Sequence, residues 1–340
     1  MTPQELQQRA QAGDGDAAVM LSRLLDREGR HGEAIAWLER AEAAGHLLAG
    51  TLLGARYAAA RGAPHDPARG AELLARAAGR GGAEAAAYSS VLAAMGVGRP
   101  QSWPDAYALS QRAADLGHER SGRALALVGG PDLEAWFAPP ERVVKSEDPL
   151  IFTVPGFLSP AVCDWIMDQS RDFLRPATVY NAAGAGGADE ARTNSGTGFS
   201  LLDLDLVLAL VRARIAAAVG QPVETFETMN VLHYAVGQKF SPHFDYIDPV
   251  TPTLARDVAQ KGQRVGTFLV YLNEGYGAGE TDFPVLKLQV KGAKGDALFF
   301  RSVDAAGDPD LRTWHAGLPP TSGEKWVLSQ WMRTKPQSIL

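Results

Sequence analysis

Three residues in the second half of the sequence have side chains that bind divalent metal ions. His243 and Asp245 stand two positions apart in the run SPHFDY, and on a β-strand both side chains would point to the same face. His315, in RTWHAG, is the next histidine along the chain. Two histidines and one carboxylate make up the facial triad of non-haem Fe(II) oxygenases, which leaves three coordination positions open for substrates.

The triad residues alone are a weak signal. With 7 His and 39 Asp and Glu residues in 340, roughly 0.8 His-x-acid matches arise by chance. From these residues alone an alternative stays open, in which both histidines are hydrogen-bonded core residues and Asp245 lies in a turn. His233 is interpreted as a packing or rim residue, because its neighbour Tyr234 takes the opposite face of the strand.

A lysine near the end of the sequence adds a second kind of chemistry. Lys325 begins a strand-like run whose same face carries Val327, Ser329 and Trp331, so its side chain can project into the interior of a barrel. A buried cation needs an anion, and the distal carboxylate of 2-oxoglutarate is one. Hydroxyls that can hydrogen-bond this cosubstrate are predicted on neighbouring strands at Tyr234, Thr267 and Tyr271, the last two on one face.

Short strands are expected to position these side chains. The runs are rich in Val, Leu, Phe, Tyr and Trp and are separated by Gly, Pro and Asp; they are MNVLHYAV, RVGTFLVYLN, LKLQV, DALFF, RTWHAG and EKWVLSQWM. This pattern predicts an antiparallel sandwich or jelly roll. Before them we expect a strand at Ile151–Val154 and helices over 159–173 and 204–219, the first capped by Ser159.

The sequence leaves two interpretations open for each of two predicted loops. In ARTNSGTGF, the residues Arg192, Asn194 and Ser195 either order a loop over the substrate or form an ordinary surface connection. In GAGETDFP, Glu280 and Asp282 are more often structural residues than catalytic acids, because they lie in a Gly-rich turn.

The first third of the chain repeats itself. Arg40, Arg76 and Arg112 are spaced 36 apart, and equally spaced alanines and glycines follow them in LERAEAAGH, LARAAGRGG and SQRAADLGH. A fixed period of this length predicts helix pairs stacked as a solenoid, with Gly at helix ends in left-handed caps. Such arrays often present a concave binding surface, so we expect a protein or peptide partner, the alternative being that the repeats only stabilise the second domain.

Composition narrows the class of protein. The hydrophobic fraction of 46% and charged fraction of 21% are typical of ordered globular domains. The net charge of -6, without a long basic run, argues against nucleic acid as a partner. Cys163 is the single cysteine, so no internal disulfide can form and a cytoplasmic location is expected. Neither a signal peptide nor a membrane-spanning run is indicated.

The second domain resembles the 2-oxoglutarate- and Fe(II)-dependent oxygenases of the prolyl 4-hydroxylase type, over nearly all of residues 150–335. The matching stretches are FLSPAVCDWI, RTNSGTGF, VLHYAVGQKFSPHFDY, QRVGTFLVYLNEGYGAGETDFP, KGDALFF and HAGLPPTSGEKWVLSQW. The run GTLLGARYAAARG and the 36-residue period resemble Sel1-like repeats, which are related to the tetratricopeptide repeat.

The resemblance implies specific roles. Position by position, it places the iron ligands at His243, Asp245 and His315 and the cosubstrate anchor at Lys325, with the remaining pocket residues at Tyr234, Thr267, Tyr271 and Trp331. Fe(II), 2-oxoglutarate and O2 are the implied cofactor and cosubstrates, with ascorbate as an additional reductant. This sequence departs from the family's pattern at two places. It has AGET where the family commonly has GGET, and His233 where an Arg often precedes the tyrosine that corresponds to Tyr234. The rim of the pocket is therefore expected to differ from that of other members.

Together these features predict an α+β multidomain protein. A Sel1/TPR-like solenoid over residues 1–122 and a linker over 123–147 are expected to precede a double-stranded β-helix dioxygenase domain over 148–340, with its core at about 226–335. The expected reaction is hydroxylation of a prolyl residue in a protein or peptide, with decarboxylation of 2-oxoglutarate to succinate and CO2. The alternatives are hydroxylation of a free amino acid or small metabolite, and a non-catalytic repeat adaptor.

Overall fold

The computed structural model describes residues 2–177, 179–180, 186–187 and 191–337, with the backbone alone described at 179–180 and 186–187. The chain divides into two compact units. One consists of Met1–Ala135 and Leu201–Val211, and the other of Trp136–Ser200 and Arg212–Ile339. The domain limits predicted from the sequence stay predictions.

The first unit is helical throughout its N-terminal part. Its helices are α1 (Pro3–Gln11), α2 (Gly15–Arg27), α3 (His31–Ala43), α4 (Leu47–Ala58), α5 (Pro67–Gly79), α6 (Ala83–Met95), α7 (Trp103–Asp115) and α8 (Glu119–Val128), and the short α9 (Glu134–Phe137) begins in this unit and ends in the second one. Thr2 and Glu5 close a capping box on α1, and the Asp66 side chain caps α5, where Pro67 takes the first position. Helix α8 runs past residue 122 and ends at Gly129, which has φ +83°.

The 36-residue period predicted from the sequence is confirmed as a structural repeat. The repeated glycines Gly45, Gly81 and Gly117 all have φ near +90°, a left-handed conformation that glycine adopts without steric cost. The alanines spaced by the same period are buried between the helices; they are Ala41, Ala77 and Ala113. The equivalent packing of equivalent residues makes this part of the chain a helical repeat array.

Side chains also connect successive repeats. Arg76 bonds Glu42 of the preceding repeat at 3.1 Å, and Arg112 donates to the Gly79 carbonyl at 3.2 Å. His46 and His118 accept a backbone N–H at the starts of α4 and α8. Their imidazoles therefore serve as helix N-caps.

The second unit carries the strands. They are β1 (Val143–Ser146), β2 (Ile151–Val154), β3 (Arg175–Pro176), β4 (Val179–Tyr180), β5 (Gly186–Gly187), β6 (Ser195–Phe199), β7 (Met229–Tyr234), β8 (Phe240–His243), β9 (Arg264–Tyr271), β10 (Gly277–Ala278), β11 (Thr281–Phe283), β12 (Leu288–Val290), β13 (Ala297–Arg301), β14 (His315–Gly317), β15 (Pro320–Ser322) and β16 (Lys325–Arg333). Its helices are α10 (Pro160–Ser170), α11 (Leu206–Val219), which begins in the first unit, and α12 (Pro252–Lys261).

Within the described residues every strand pair is antiparallel, and two large sheets build the domain, besides the two-stranded pairs β10-β15 and β4-β5. The larger has eight strands in the order β1-β2-β13-β9-β16-β7-β6-β3, and the smaller has four in the order β12-β11-β14-β8. Apolar side chains of both sheets pack together, with Phe283 and Val290 from the smaller sheet against Tyr271, Phe300 and Val327 from the larger. This arrangement confirms the predicted double-stranded β-helix, or jelly roll.

The strand-like runs of the sequence correspond to β7, β9, β12, β13, β14 and β16, and Ser159 caps α10 as expected. Three features differ from expectation. Helix α12 was not predicted, residues Leu311–Thr313 form a short 3-10 helix before β14, and Asp245 lies beyond the end of β8. Within the described ranges, every helix is too short or too polar to cross a bilayer.

Candidate active site

Strands β8 and β14 bring the two predicted histidine ligands together. His243 and His315 are direct cross-strand partners, with ring centroids 4.3 Å apart. Asp245 lies two residues after His243, in the turn that follows β8. Its carboxylate lies close to both imidazoles. Its Oδ1 lies 3.6 Å from His243 Nε2, and its Oδ2 lies 3.7 Å from His315 Nε2.

Backbone carbonyls orient both imidazoles. His243 Nδ1 lies 2.8 Å from the carbonyl of Ser241, and His315 Nδ1 lies 3.0 Å from that of Thr313, in each case two residues earlier. A carbonyl only accepts, so each Nδ1 carries the proton and each Nε2 presents a lone pair. Each of the three residues offers one ligand atom, and these three atoms all lie within 4.8 Å of one another. Two imidazole nitrogens and one carboxylate oxygen at this spacing fit a single divalent ion.

The charge states of the site also suit a cation. Burial lowers the pKa of His315 to about 4, with His243 adding to the effect, so the imidazole is neutral near pH 7. Burial alone would raise the pKa of Asp245, but the two imidazoles and Arg264 hold it well below its usual range. Thr267 donates to Asp245 Oδ2 at 2.6 Å, which orients the carboxylate.

A small cavity of about 40 Å³ lies between the two sheets and includes the triad. Lys325 lines it and is only 2% exposed, with Nζ 5.3 Å from the Tyr234 ring centroid. No carboxylate of the described residues lies within 4.0 Å of Nζ, and burial lowers the pKa of Lys325 to about 8. Lys325 is therefore a buried cation without a close ion-pair partner among the described residues, although the charge of Glu280 partly opposes the lowering of its pKa and Asp245 lines the same cavity.

The structure brings most of the predicted pocket residues to this cavity. Tyr234, Thr267 and Trp331 line it, as do Val327 and Ser329 on the same face of β16 as Lys325. Tyr271 shares the face of Thr267 but lies behind Thr281; its hydroxyl bonds Thr281 Oγ1 at 3.1 Å and donates to the Val290 carbonyl at 3.0 Å. Thr281, in the run GAGETDFP, lines the cavity in its place and was not singled out from the sequence.

A larger cavity of about 390 Å³ adjoins the triad and shares His243, Asp245, Phe240 and Trp331 with the small one. Sequence reasoning did not identify its lining residues Phe240 and Arg264. His233 lies outside both linings, as the strand period predicted. It bonds Glu324 at 2.8 Å and Ser195 at 3.2 Å, and it packs on Trp326.

Comparison with known proteins identifies the strand-rich unit. Residues 229–333 match the family model described as the 2OG-Fe(II) oxygenase superfamily. The chain is 33% identical over 210 residues to prolyl 4-hydroxylase 1 of Arabidopsis thaliana, covering 57% of this chain and 72% of that protein. It is 30% identical to prolyl 4-hydroxylase subunit alpha-1 of Mus musculus, covering 59% of this chain and 38% of that one.

Two solved structures are similar to separate parts of the chain. The viral collagen prolyl hydroxylase from Paramecium Bursaria Chlorella virus-1, in its 2OG complex, has 30% identity and a TM-score of 0.41, covering 54% of this chain and 95% of that one. A Sel1 repeat protein from Oxalobacter formigenes has 22% identity and a TM-score of 0.34, and the match covers 37% of this chain and 52% of that one.

The resemblance expected from the motifs is confirmed by the match to the Arabidopsis enzyme, which extends over more than two thirds of that relative. The matched residues 229–333 contain the His243, Asp245 and His315 cluster and Lys325. This chain belongs to the prolyl 4-hydroxylase type of 2-oxoglutarate- and Fe(II)-dependent dioxygenases.

Proposed function

We propose that this enzyme hydroxylates a prolyl residue in a protein or peptide and converts 2-oxoglutarate to succinate and CO2. One observation carries the proposal: the small cavity places the two imidazole Nε2 atoms and the Asp245 carboxylate together, with the unpaired cation of Lys325 in the same cavity. A ferrous ion and a dicarboxylate supply the charges that these groups lack.

The residues that line the small cavity have different proposed roles. His243, Asp245 and His315 would hold Fe(II), which supplies the redox chemistry with O2. Lys325 offers its charge to the distal carboxylate of 2-oxoglutarate, and Tyr234 and Thr281 offer hydroxyls from the same lining. The mostly apolar lining of the small cavity disfavours water and thereby limits turnover without substrate.

The overall reaction balances with the proposed cosubstrates. One oxygen atom of O2 enters the substrate C–H bond as a hydroxyl, and the other enters succinate when 2-oxoglutarate loses CO2. Ascorbate is proposed as a reductant that returns the iron to the ferrous state when turnover proceeds without substrate.

A polypeptide substrate is proposed because the matched relatives are named prolyl 4-hydroxylases and one solved relative is named a collagen prolyl hydroxylase. The cavity of about 390 Å³ next to the triad offers space for a side chain and its neighbours. The repeats are proposed to recruit the partner protein. A reducing compartment such as the cytoplasm is proposed because the one cysteine, Cys163, is buried and unpaired.

The test is a comparison of substrates with one enzyme preparation. Succinate release and the mass gain of one oxygen atom are measured with Fe(II), 2-oxoglutarate and either proline-containing peptides, free proline or other free amino acids. We expect coupled turnover with peptides, abolished in His315→Gln and retained in His233→Gln, a histidine outside the cavities. Coupled turnover with free amino acids alone would instead identify a small-molecule hydroxylase.

A further inference from the structure

We infer that the larger cavity binds a carboxylate of the substrate beside the target prolyl ring, through Arg192 and Arg175. This inference rests on the proposed function, since it specifies the substrate of the same site. The carboxylate belongs either to an Asp or Glu side chain next to the target residue or to a C-terminal carboxyl group.

The charged groups that line this cavity are unbalanced. Among the described residues, three arginines face it, namely Arg175, Arg192 and Arg264, and the one lining carboxylate is that of Asp245. The rest of the lining is aromatic, small or neutral, with Phe240, Phe244 and Trp331 as its aromatic residues. The surface therefore suits an apolar ring that has an anionic group close by.

Arg192 is held in a fixed position. Its guanidinium lies 4.4 Å from the Phe240 ring centroid, and Phe240 in turn stacks on His243 at 3.5 Å between centroids. The backbone around it is anchored on both sides, because Ser241 N donates to the Ala191 carbonyl at 2.7 Å and Ala177 N donates to that of Asn194 at 2.8 Å. A preorganised guanidinium loses little side-chain entropy when it binds an anion.

The two outer arginines have no carboxylate partner within 4.0 Å among the described residues. Arg264 is matched, since it pairs with both oxygens of Glu227 at 2.7 and 2.8 Å. Arg192 instead donates through Nε to the neutral Asn194 side chain at 3.1 Å, and Arg175 donates to the Leu174 carbonyl at 2.8 Å. Both guanidinium groups keep further N–H donors for a ligand.

The cofactors do not supply the missing negative charge. In the loaded enzyme, the charges of Fe(II) and Lys325 are matched by Asp245 and the two carboxylates of 2-oxoglutarate. Among the residues that the structure describes, Arg192 and Arg175 still have no carboxylate partner beside the substrate cavity. A planar guanidinium recognises a carboxylate through two parallel hydrogen bonds, so an acidic group on the substrate is the fitting counter-ion.

The test compares matched peptides that carry Glu, Gln or Lys on either side of the proline, and peptides ending in a prolyl carboxylate or its amide. We expect kcat/KM to be about tenfold higher for the carboxylate of a pair than for its neutral counterpart. The pair that discriminates identifies the source of the carboxylate. In Arg192→Gln the preference falls to within about twofold, and Arg301→Gln, on an exposed strand end, retains it.

A binding measurement separates this inference from the proposed function. Anisotropy of labelled peptides is recorded with Mn(II) and 2-oxoglutarate without O2, so that no turnover is needed. If no peptide is hydroxylated, the proposed function fails, and the carboxylate preference in binding still decides the inference. Equal binding and turnover of every acidic and neutral pair overturns it, as does a preference that survives in both Arg192→Gln and Arg175→Gln; the latter residue is exposed, so its replacement leaves folding intact.

Discussion

Replacing Lys325 with methionine should stabilise the protein in the absence of 2-oxoglutarate. The side chain is 2% exposed and has no ion-pair partner among the described residues, so folding transfers its charge out of water with only the partial compensation that the charge of Glu280 gives. Burial lowers the pKa of Lys325 from 10.5 to about 8, which corresponds to a cost of about 3 kcal/mol near pH 7. Methionine has a similar length and no charge, so most of this cost disappears.

The effect has a defined dependence on pH. Between about pH 8 and 10.5, the unfolded chain holds a proton on this lysine that the folded chain has released, so wild-type stability rises with pH across this window. Below about pH 8 both states are protonated and the full cost is present. The stability advantage of Lys325→Met should therefore be largest near neutral pH and decrease towards about pH 10.

Chemical denaturation at about pH 7 and about pH 10 measures the free energies of unfolding, with Lys145→Met as a control at an exposed lysine. With both proteins already loaded with Mn(II), adding 2-oxoglutarate should stabilise the wild type further by mass action and add almost nothing to the stability of Lys325→Met. The reasoning is refuted if Lys325→Met is less stable than the wild type at neutral pH without ligand, or if 2-oxoglutarate stabilises both proteins equally.

Three further predictions concern the metal ligands and the repeats. Thr267→Val keeps the side-chain volume but removes the 2.6 Å hydrogen bond to Asp245, and it should weaken metal binding about tenfold in a chelator competition, whereas the exposed Thr253→Val should not. Because burial lowers the pKa of His315 to about 4, the metal-free protein should lose stability as the pH falls from about 6.5 to about 4; equal stability across this range in denaturation would contradict the assignment. Leu38→Ala, at a fully buried position in α3, should cost about 2–5 kcal/mol in thermal or denaturant unfolding, and a loss below about 1 kcal/mol would argue against tight packing of the repeats.

The sequence was sufficient for the parts of the site that depend on strand periodicity. The alternation of side chains along β16 correctly placed Lys325, Ser329 and Trp331 on one face. The same argument put Thr267 and Tyr271 on one face of β9, but a period of two residues gives the face and not the depth. Tyr271 lies behind Thr281, a residue of the other sheet, and only the packing of the two sheets reveals this.

Features that depend on contacts distant in sequence were not predictable. Arg264 begins a strand as an ordinary charged residue, and its place at the larger cavity follows from its pairing with Glu227 and its position 3.9 Å from the Trp331 ring centroid.

Strand β8 contains Pro242 and only four residues, so its strand signal is weak. Every side chain of helix α12 is partly buried or exposed, so the sequence of this helix lacks the strong apolar stripe that identifies core helices.

The direct pairing of His243 with His315 makes an ion at this site a cross-link as well as a reaction centre. The two histidines come from strands separated along the chain by α12, β9 and four further strands up to β13, so the unfolded polypeptide holds them far apart and offers the ion no ready chelate. A metal that binds the folded state alone draws the folding equilibrium towards it. Metal supply would then govern how long a molecule survives proteolysis, in addition to whether it can turn over substrate.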